Sequence, residues 1–248
     1  MYLIDKIFEK TNKKYISLMS KDYSFKKLTK SWFKLSEKYQ YSYHFSWMGM
    51  PIIQYPQDII ALQEIIWKVK PELIIETGIA RGGSLIFSAS MLELIGKGKV
   101  IGIDIDIRKQ NAIAIKKHQM FKRIKMIEGS SIDKKVIKKV YQLAKNKKHI
   151  LVILDSNHSH EHVLEELKLY SPLVQKNSYL IVFDTVIEDV SNTTTSSHQK
   201  RPWGKGNNPK TAVKEFLKNS TRFVNEKEIE EKLMITVGPC GYLKCIKN

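Results

Sequence analysis

Five short runs, LIIET (73–77), KVIGID (99–104), RIKMIE (123–128), HILVILD (149–155) and SYLIVFD (178–184), are rich in β-branched and other apolar residues, and in all but RIKMIE these stand mostly on successive positions rather than on alternate ones. A strand wet on one face alternates apolar and polar side chains, whereas a run apolar throughout is buried on both faces. Helical periods lie between these runs, at Gly83–Ile95, Arg108–Gln119, Asp133–Lys145 and Glu161–Tyr170. Strands buried on both faces and alternating with helices predict an α/β fold with a doubly wound, mostly parallel sheet. A further helical period, PQDIIALQEIIWKV, carries Ile59, Leu62, Ile66 and Val69 on one side and stops at Pro71.

After Asp184 the alternation ends. The stretch VIEDVSNTTTSSHQKRPWGKGNNP reads as a long loop of the lid or binding type, and a helix is predicted over Lys210–Lys218. The end, ITVGPCGYLKCI, reads as two short strands about a Gly-Pro and Cys-Gly turn, an antiparallel closure of the sheet. Residues 1–56 are aromatic-rich and read as irregular, as in YQYSYHFSWMGMP. The expected organisation is an N-terminal cap segment, 1–56, and an α/β domain, 57–248. The cap either covers the site or forms a subunit interface, so a homo-oligomer stays open.

Hydrophobic residues make up 42% of the 248, enough for a sizeable core, and the formal net charge is +17. Such a charge suits nucleic acid, a membrane surface or an acidic glycan, but the lysines are spread along the whole chain, as in a generally lysine-rich protein. The start, MYLIDKIFEKTNKK, is interrupted by Asp5, Lys6 and Glu9 and does not read as a signal peptide. Apolar runs such as Ile150–Leu154 are far too short for a membrane span. Cys240 and Cys245 lack the spacing of a zinc knuckle, and a reduced, cytoplasmic protein is expected.

Ligands of an open α/β sheet sit beyond the carboxyl ends of the strands. Here each strand ends in an acid: Glu76, Asp104, Glu128, Asp155 and Asp184. The first of these opens the loop ETGIARGGS, which resembles a dinucleotide fingerprint but has Ala80 in place of the middle glycine. Glu76, two residues before Gly78, would repel a pyrophosphate and attract the α-ammonium of a methionine moiety. The sign of that charge favours S-adenosylmethionine over a nicotinamide dinucleotide. Asp104 is suited to ribose hydroxyls in either case.

The loop ETGIARGGS, the strand GIDIDIR, the segment LDSNHSHEHVLEEL, the strand SYLIVFDT, the tail GYLKC and the upstream WMGMPIIQYPQDIIALQEII together resemble the cephalosporin hydroxylase/rhamnosyl O-methyltransferase family, from about residue 47 to the end. The resemblance implies a Rossmann-like class I methyltransferase fold with S-adenosylmethionine as cofactor, and O-methylation of a sugar, glycan or other small molecule. The loop is also similar to that of catechol-type O-methyltransferases. By that likeness Glu76, Gly78, Gly82 and Ser84 hold the methionine part, Asp104 the ribose, and Ser130 and Ser131 the adenine side. Asp155 is placed in the cofactor pocket, beside His158 as the catalytic pair, and with Asp184 as a ligand of Mg²⁺ or another divalent cation. Both families carry two oxygen ligands after the fifth strand, where this chain has Phe183-Asp184. At the level of the sequence a cation held by two carboxylates and no cation at all both stay open. His158 falls at the position of the base, and His162 reads better as a supporting or packing residue. The loop residues His198, Lys200, Arg201, Trp203 and Lys205 could hold a sugar ring or an acidic group, or form a lid without specific contacts. Lys97, Lys99 and KNKK (145–148) read as solvated surface. The second reading, an RNA-binding protein or RNA methyltransferase, rests on the charge alone, since the chain has no Asn/Asp-Pro-Pro-aromatic motif or RNA-binding module.

Overall fold

The computed structural model describes residues 6–190 and 201–248. Its strands are β1 (Phe45–Trp47), β2 (Met50–Ile52), β3 (Leu73–Thr77), β4 (Lys99–Asp104), β5 (Ile124–Glu128), β6 (Ile150–Leu154), β7 (Tyr179–Val182), β8 (Phe223–Asn225) and β9 (Tyr242–Cys245). Its helices are α1 (Lys6–Met19), α2 (Tyr23–Lys38), α3 (Pro56–Val69), α4 (Gly83–Ile95), α5 (Lys109–Lys117), α6 (Lys134–Ala144), α7 (His160–Tyr170), α8 (Pro209–Asn219) and α9 (Lys227–Leu233).

The five expected strands join β8 and β9 in one seven-stranded sheet with order β5-β4-β3-β6-β7-β9-β8. The first five of these pair in parallel; β9 lies antiparallel to β7 and β8 antiparallel to β9. The chain runs outward from β3 to β4 and β5, then returns to lay β6 and β7 on the other side. The order therefore reverses between β3 and β6, and a crevice opens beyond their carboxyl ends.

Side chains of period two sort the core into two layers. Ile74, Val100, Leu151, Ile153 and Ile181 pack with α3, α4 and the N-terminal segment. Leu73, Ile75, Ile101, Ile103, Val152 and Leu154 pack on the other face with α6, α7 and α8. Glu76 shares the parity of Ile74 and thus faces α4. Helix α4 is buried on nearly every side, which explains its lack of an amphipathic pattern. It approaches β4 so closely that a Cβ on Gly102 would lie 2.6 Å from a methyl of Leu85.

Two sequence expectations are corrected. The segment read as irregular forms α1, α2 and the β1–β2 hairpin. Both helices do carry a helical period, but large apolar residues such as Phe8, Leu18, Leu28 and Leu35 stay exposed, so the period does not mark a core face. The closing strand β9 is present, but its hairpin partner is β8 and not residues 235–237. Those residues are held elsewhere. The Asp58 carboxylate, at the start of α3 and fully buried, accepts hydrogen bonds from the Thr236 hydroxyl, the Val237 amide at 3.0 Å and the Tyr242 hydroxyl at 2.7 Å. A strand pairing for 235–237 would break this set.

Asp58 ties α3 to the far end of the chain through three buried donors. Its replacement by Ala leaves them unpaired, and we expect a loss of roughly 2–4 kcal/mol in urea unfolding. An unchanged unfolding midpoint would show that the carboxylate contributes nothing.

Candidate active site

The reversal point fixes the site's centre. Gly78 follows β3 with φ +90° and donates its amide to the Ile103 carbonyl at 2.8 Å. A Cβ at Gly78 would overlap the carbonyl of Asp155, whose own amide donates to the Thr77 carbonyl at 3.0 Å. Only glycine lets the two loops come this close. Gly82 (φ +88°) then turns the chain into α4, and a Cβ on Gly83 would strike the backbone of Pro51 in β2. The N-terminal hairpin is thus seated on the loop.

Above these turns lies a cavity of about 1510 Å³. Gly78, Gly82, Ser84, Asp104, Ser130, Ser131, Asp155 and His158 all line it, as does Asp184. Glu76 does not reach the wall. It is 2% exposed and sits under Ser84, whose hydroxyl donates to one of its oxygens; the other oxygen is buried without a partner. Burial pushes the Glu76 carboxyl up to about 7. A buried carboxylate with a free oxygen lacks its counter-charge, and a cation bound against Ser84 would provide it. Asp104 accepts from the amides of Ile79 at 2.8 Å and Ala80 at 3.3 Å, so it shapes the same loop that it borders. Glu128, the remaining strand-end acid, is exposed and does not line the cavity.

Among the described residues, Asp155, His158 and Asp184 form a group able to share an ion, with one ligand atom of each within 4.8 Å of the others. His158 Nε2 lies 3.1 Å from Asp184 Oδ2. Burial first, then the charges of Asp184, Glu76, Glu166 and Asp58, hold the Asp155 carboxyl well above the usual range. Two carboxylates and an imidazole, beside further acids, fit a divalent cation, whose charge would relieve that crowding. Phe183 does not compete for the place. Its ring is 2% exposed and meets Tyr242 edge-on at 6.3 Å. The third member of the group is His158, from the loop after β6.

His158 precedes α7, which begins at His160, so His158 and His162 do not lie on one helix face. His162 Nε2 lies 3.0 Å from the Ser131 hydroxyl and 3.6 Å from the buried Glu166 carboxylate, a supporting position. His160 bridges to α8 through Thr211 at 2.8 Å and Glu215 at 3.2 Å. On the far side, Trp203 meets the His158 ring edge-on at 5.0 Å, and the Arg201 guanidinium lies 5.6 Å from the Trp203 ring centre. Lys205 lines the same cavity. His198 and Lys200 lie outside the described residues.

Sequence reasoning missed two contributors. Gln54 donates to Asp155 Oδ2 at 3.4 Å, and Glu37, bonded by the Tyr55 hydroxyl at 2.6 Å, lines the cavity with its carboxyl raised by burial. Both come from the N-terminal segment; Gln54 lies within the stretch WMGMPIIQYPQDIIALQEII without standing out in it, and no motif marks Glu37.

The chain is similar to proteins of known kind over most of its length. The sequence model of the family described as Rhamnosyl O-methyltransferase/CmcI matches residues 39–246. The rhamnosyl O-methyltransferase of Mycobacterium bovis (strain BCG / Pasteur 1173P2) is 30% identical over 202 residues, 80% of this chain and 77% of the relative. A solved structure named cmcI-D160 Mg-SAM is 17% identical with a TM-score of 0.56, over 82% of this chain and 77% of its own. The O-methyltransferase TomG from Streptomyces achromogenes, solved in complex with SAM, is 14% identical with a TM-score of 0.52, over 78% of this chain and 81% of its own. At these identities the structural likeness is one of fold.

If Glu76 must be ionised to meet a ligand's ammonium group, binding of S-adenosylhomocysteine should strengthen as pH rises toward 7, by up to about tenfold per unit, with proton release. The same raised value costs the free protein stability over that range, because the folded state holds the proton more tightly than the unfolded one. Calorimetry between about pH 5.5 and 7 tests this; a flat profile, or Glu76→Gln retaining both slope and affinity, contradicts it.

Proposed function

Because the chain belongs to the rhamnosyl O-methyltransferase/CmcI family, we infer a single reaction for this site: the chain is an S-adenosylmethionine-dependent O-methyltransferase that acts on a sugar hydroxyl. The observation that carries the reading is the union of two half-sites in one cavity. The glycine turn over Glu76 and the acid–imidazole group meet where Gly78 packs against Asp155.

S-adenosylmethionine, when bound, supplies a sulfonium methyl for in-line displacement by an acceptor oxygen. Ser84, over Glu76, receives the cationic end of the methionine part, with Gly78 and Gly82 admitting it close to the backbone. Asp104 accepts from the ribose hydroxyls, and Ser130 and Ser131 border the adenine side, with His162 holding the Ser131 hydroxyl. The acceptor enters on the side of Trp203, Arg201 and Lys205, where an aromatic face and cations suit a sugar ring.

The methyl bonds to the acceptor oxygen as its bond to sulfur breaks, and the acceptor's proton must leave. His158 takes it as the general base. With Nε2–H given to Asp184, the lone pair is on Nδ1, so the carboxylate both orients the ring and stabilises the imidazolium. Asp155 and Asp184 are also the carboxylates that would hold a divalent cation beside His158, and such an ion would lower the acceptor hydroxyl's pKa; where His158 ligates it as well, the ion would replace the imidazole as the activating group. Gln54 positions Asp155 in either case. The two free thiols, Cys240 and Cys245, suit a reducing compartment such as the cytoplasm.

Labelled S-adenosylmethionine should transfer methyl to a hydroxylated sugar in an acceptor screen; transfer to RNA and to no sugar would replace this reading. His158→Ala should lower kcat by about 10²–10⁴-fold with affinity for S-adenosylhomocysteine kept. Activity should fall in chelator and return with Mg²⁺ or Mn²⁺. If it persists in chelator and in Asp155→Asn, the cation has no part.

A further inference from the structure

Helix α1 has no buried residue, yet it is strongly amphipathic. At 3.6 residues per turn Lys6, Lys10, Lys13 and Lys14 fall on one side, and Phe8, Tyr15 and Leu18 on the other. Those three are 65%, 64% and 54% exposed. Helix α2 repeats the pattern in part. It buries Phe33 and Ser36 against the domain and turns outward Lys27, Lys30, Lys34 and Lys38, flanked by the exposed Leu28 and Leu35. Residues 6–38 hold ten lysines against three acids. No function described so far uses these faces.

We propose that α1 and the outward side of α2 form a docking surface for an anionic lipid bilayer, on which the protein sits as a peripheral enzyme. The partner follows from charge and apolarity taken together. A second copy would bring the same excess of lysines and be repelled. A nucleic acid would match the charge but leave Phe8, Leu18, Leu28 and Leu35 facing water. A bilayer with anionic headgroups takes both: the apolar side enters the headgroup–acyl boundary and the lysines, on long stems, reach the phosphates. No described helix is long and apolar enough to cross a membrane, so the attachment is interfacial. The surface leads directly into the catalytic cavity, because Glu37 at the end of α2 lines it. The inference stands whether or not the acceptor is a sugar.

The test is sedimentation of the full chain with vesicles of phosphatidylcholine alone and with about a third phosphatidylglycerol, in low and high salt. Binding should be at least about tenfold tighter on the anionic vesicles and weaken about tenfold at 0.5 M salt, as surface electrostatics requires. Two variants, Phe8→Ser with Leu18→Ser, and Lys10→Glu with Lys13→Glu and Lys14→Glu, should each lose this binding. Both change exposed positions, so circular dichroism and S-adenosylhomocysteine affinity should match the parent. Equal binding to neutral vesicles, no vesicle binding, or retention of binding in both variants overturns the proposal. So does tight RNA binding without lipid binding, or a dimer that dissociates in the Phe8→Ser, Leu18→Ser variant.

Discussion

The close approach of Gly78 to the Asp155 carbonyl, where β3 and β6 meet, governs the rest of the active site. At this point the strand order reverses and two loops must leave the sheet side by side. A side chain on residue 78 would push them apart. Without it, the glycine turn after β3 and the Asp155 loop after β6 become walls of one cavity. The sheet order, the positive φ at Gly78 and the seating of β2 on Gly83 are all parts of that same approach.

The approach has an electrostatic cost. Parallel strands ending in acids bring Glu76, Asp155 and Asp184 toward one region, and burial removes the water that would screen them. The contrast with Asp58 is instructive. Also fully buried, it receives three hydrogen bonds and serves as a tie between α3 and the loop before β9. Glu76 keeps a buried oxygen without a partner, and Asp155 receives only a long bond from Gln54. Unmet acceptors of this kind at a switch point are the mark of a site that waits for cationic partners.

Legibility of this chain follows the range of the interactions involved. The limits of β3, β4 and α4 could be read directly, because a both-face apolar run and a glycine-bounded helix are local patterns. The role given to Glu76 rested on another local pattern, a carboxylate beside glycines, whose sign favours a cation over a phosphate. The strand partner of β9 could not, since three residues, Phe223–Asn225, are too few for a period to show. Phe183 was read as standing where relatives carry a ligand; its ring belongs to the core, and that His158 stands beside Asp155 and Asp184 could not be seen from the sequence. The N-terminal helices escaped notice because α1 buries no residue and α2 only Phe33 and Ser36, so their apolar sides mark almost no core.

What the sequence determined by itself is therefore what neighbours along the chain decide: the alternation of strands and helices, the turns that need glycine, and the sign of the charge beside them. The tertiary structure alone decided which distant groups share the cavity. It set Gln54 against Asp155, 101 residues away, joined His158 to Asp184, and placed Glu76 beneath Ser84 rather than on the wall. The reason is physical. Backbone conformation depends on a few adjacent residues, whereas burial, and with it the strength of every charge in the site, depends on what the whole fold lays on top.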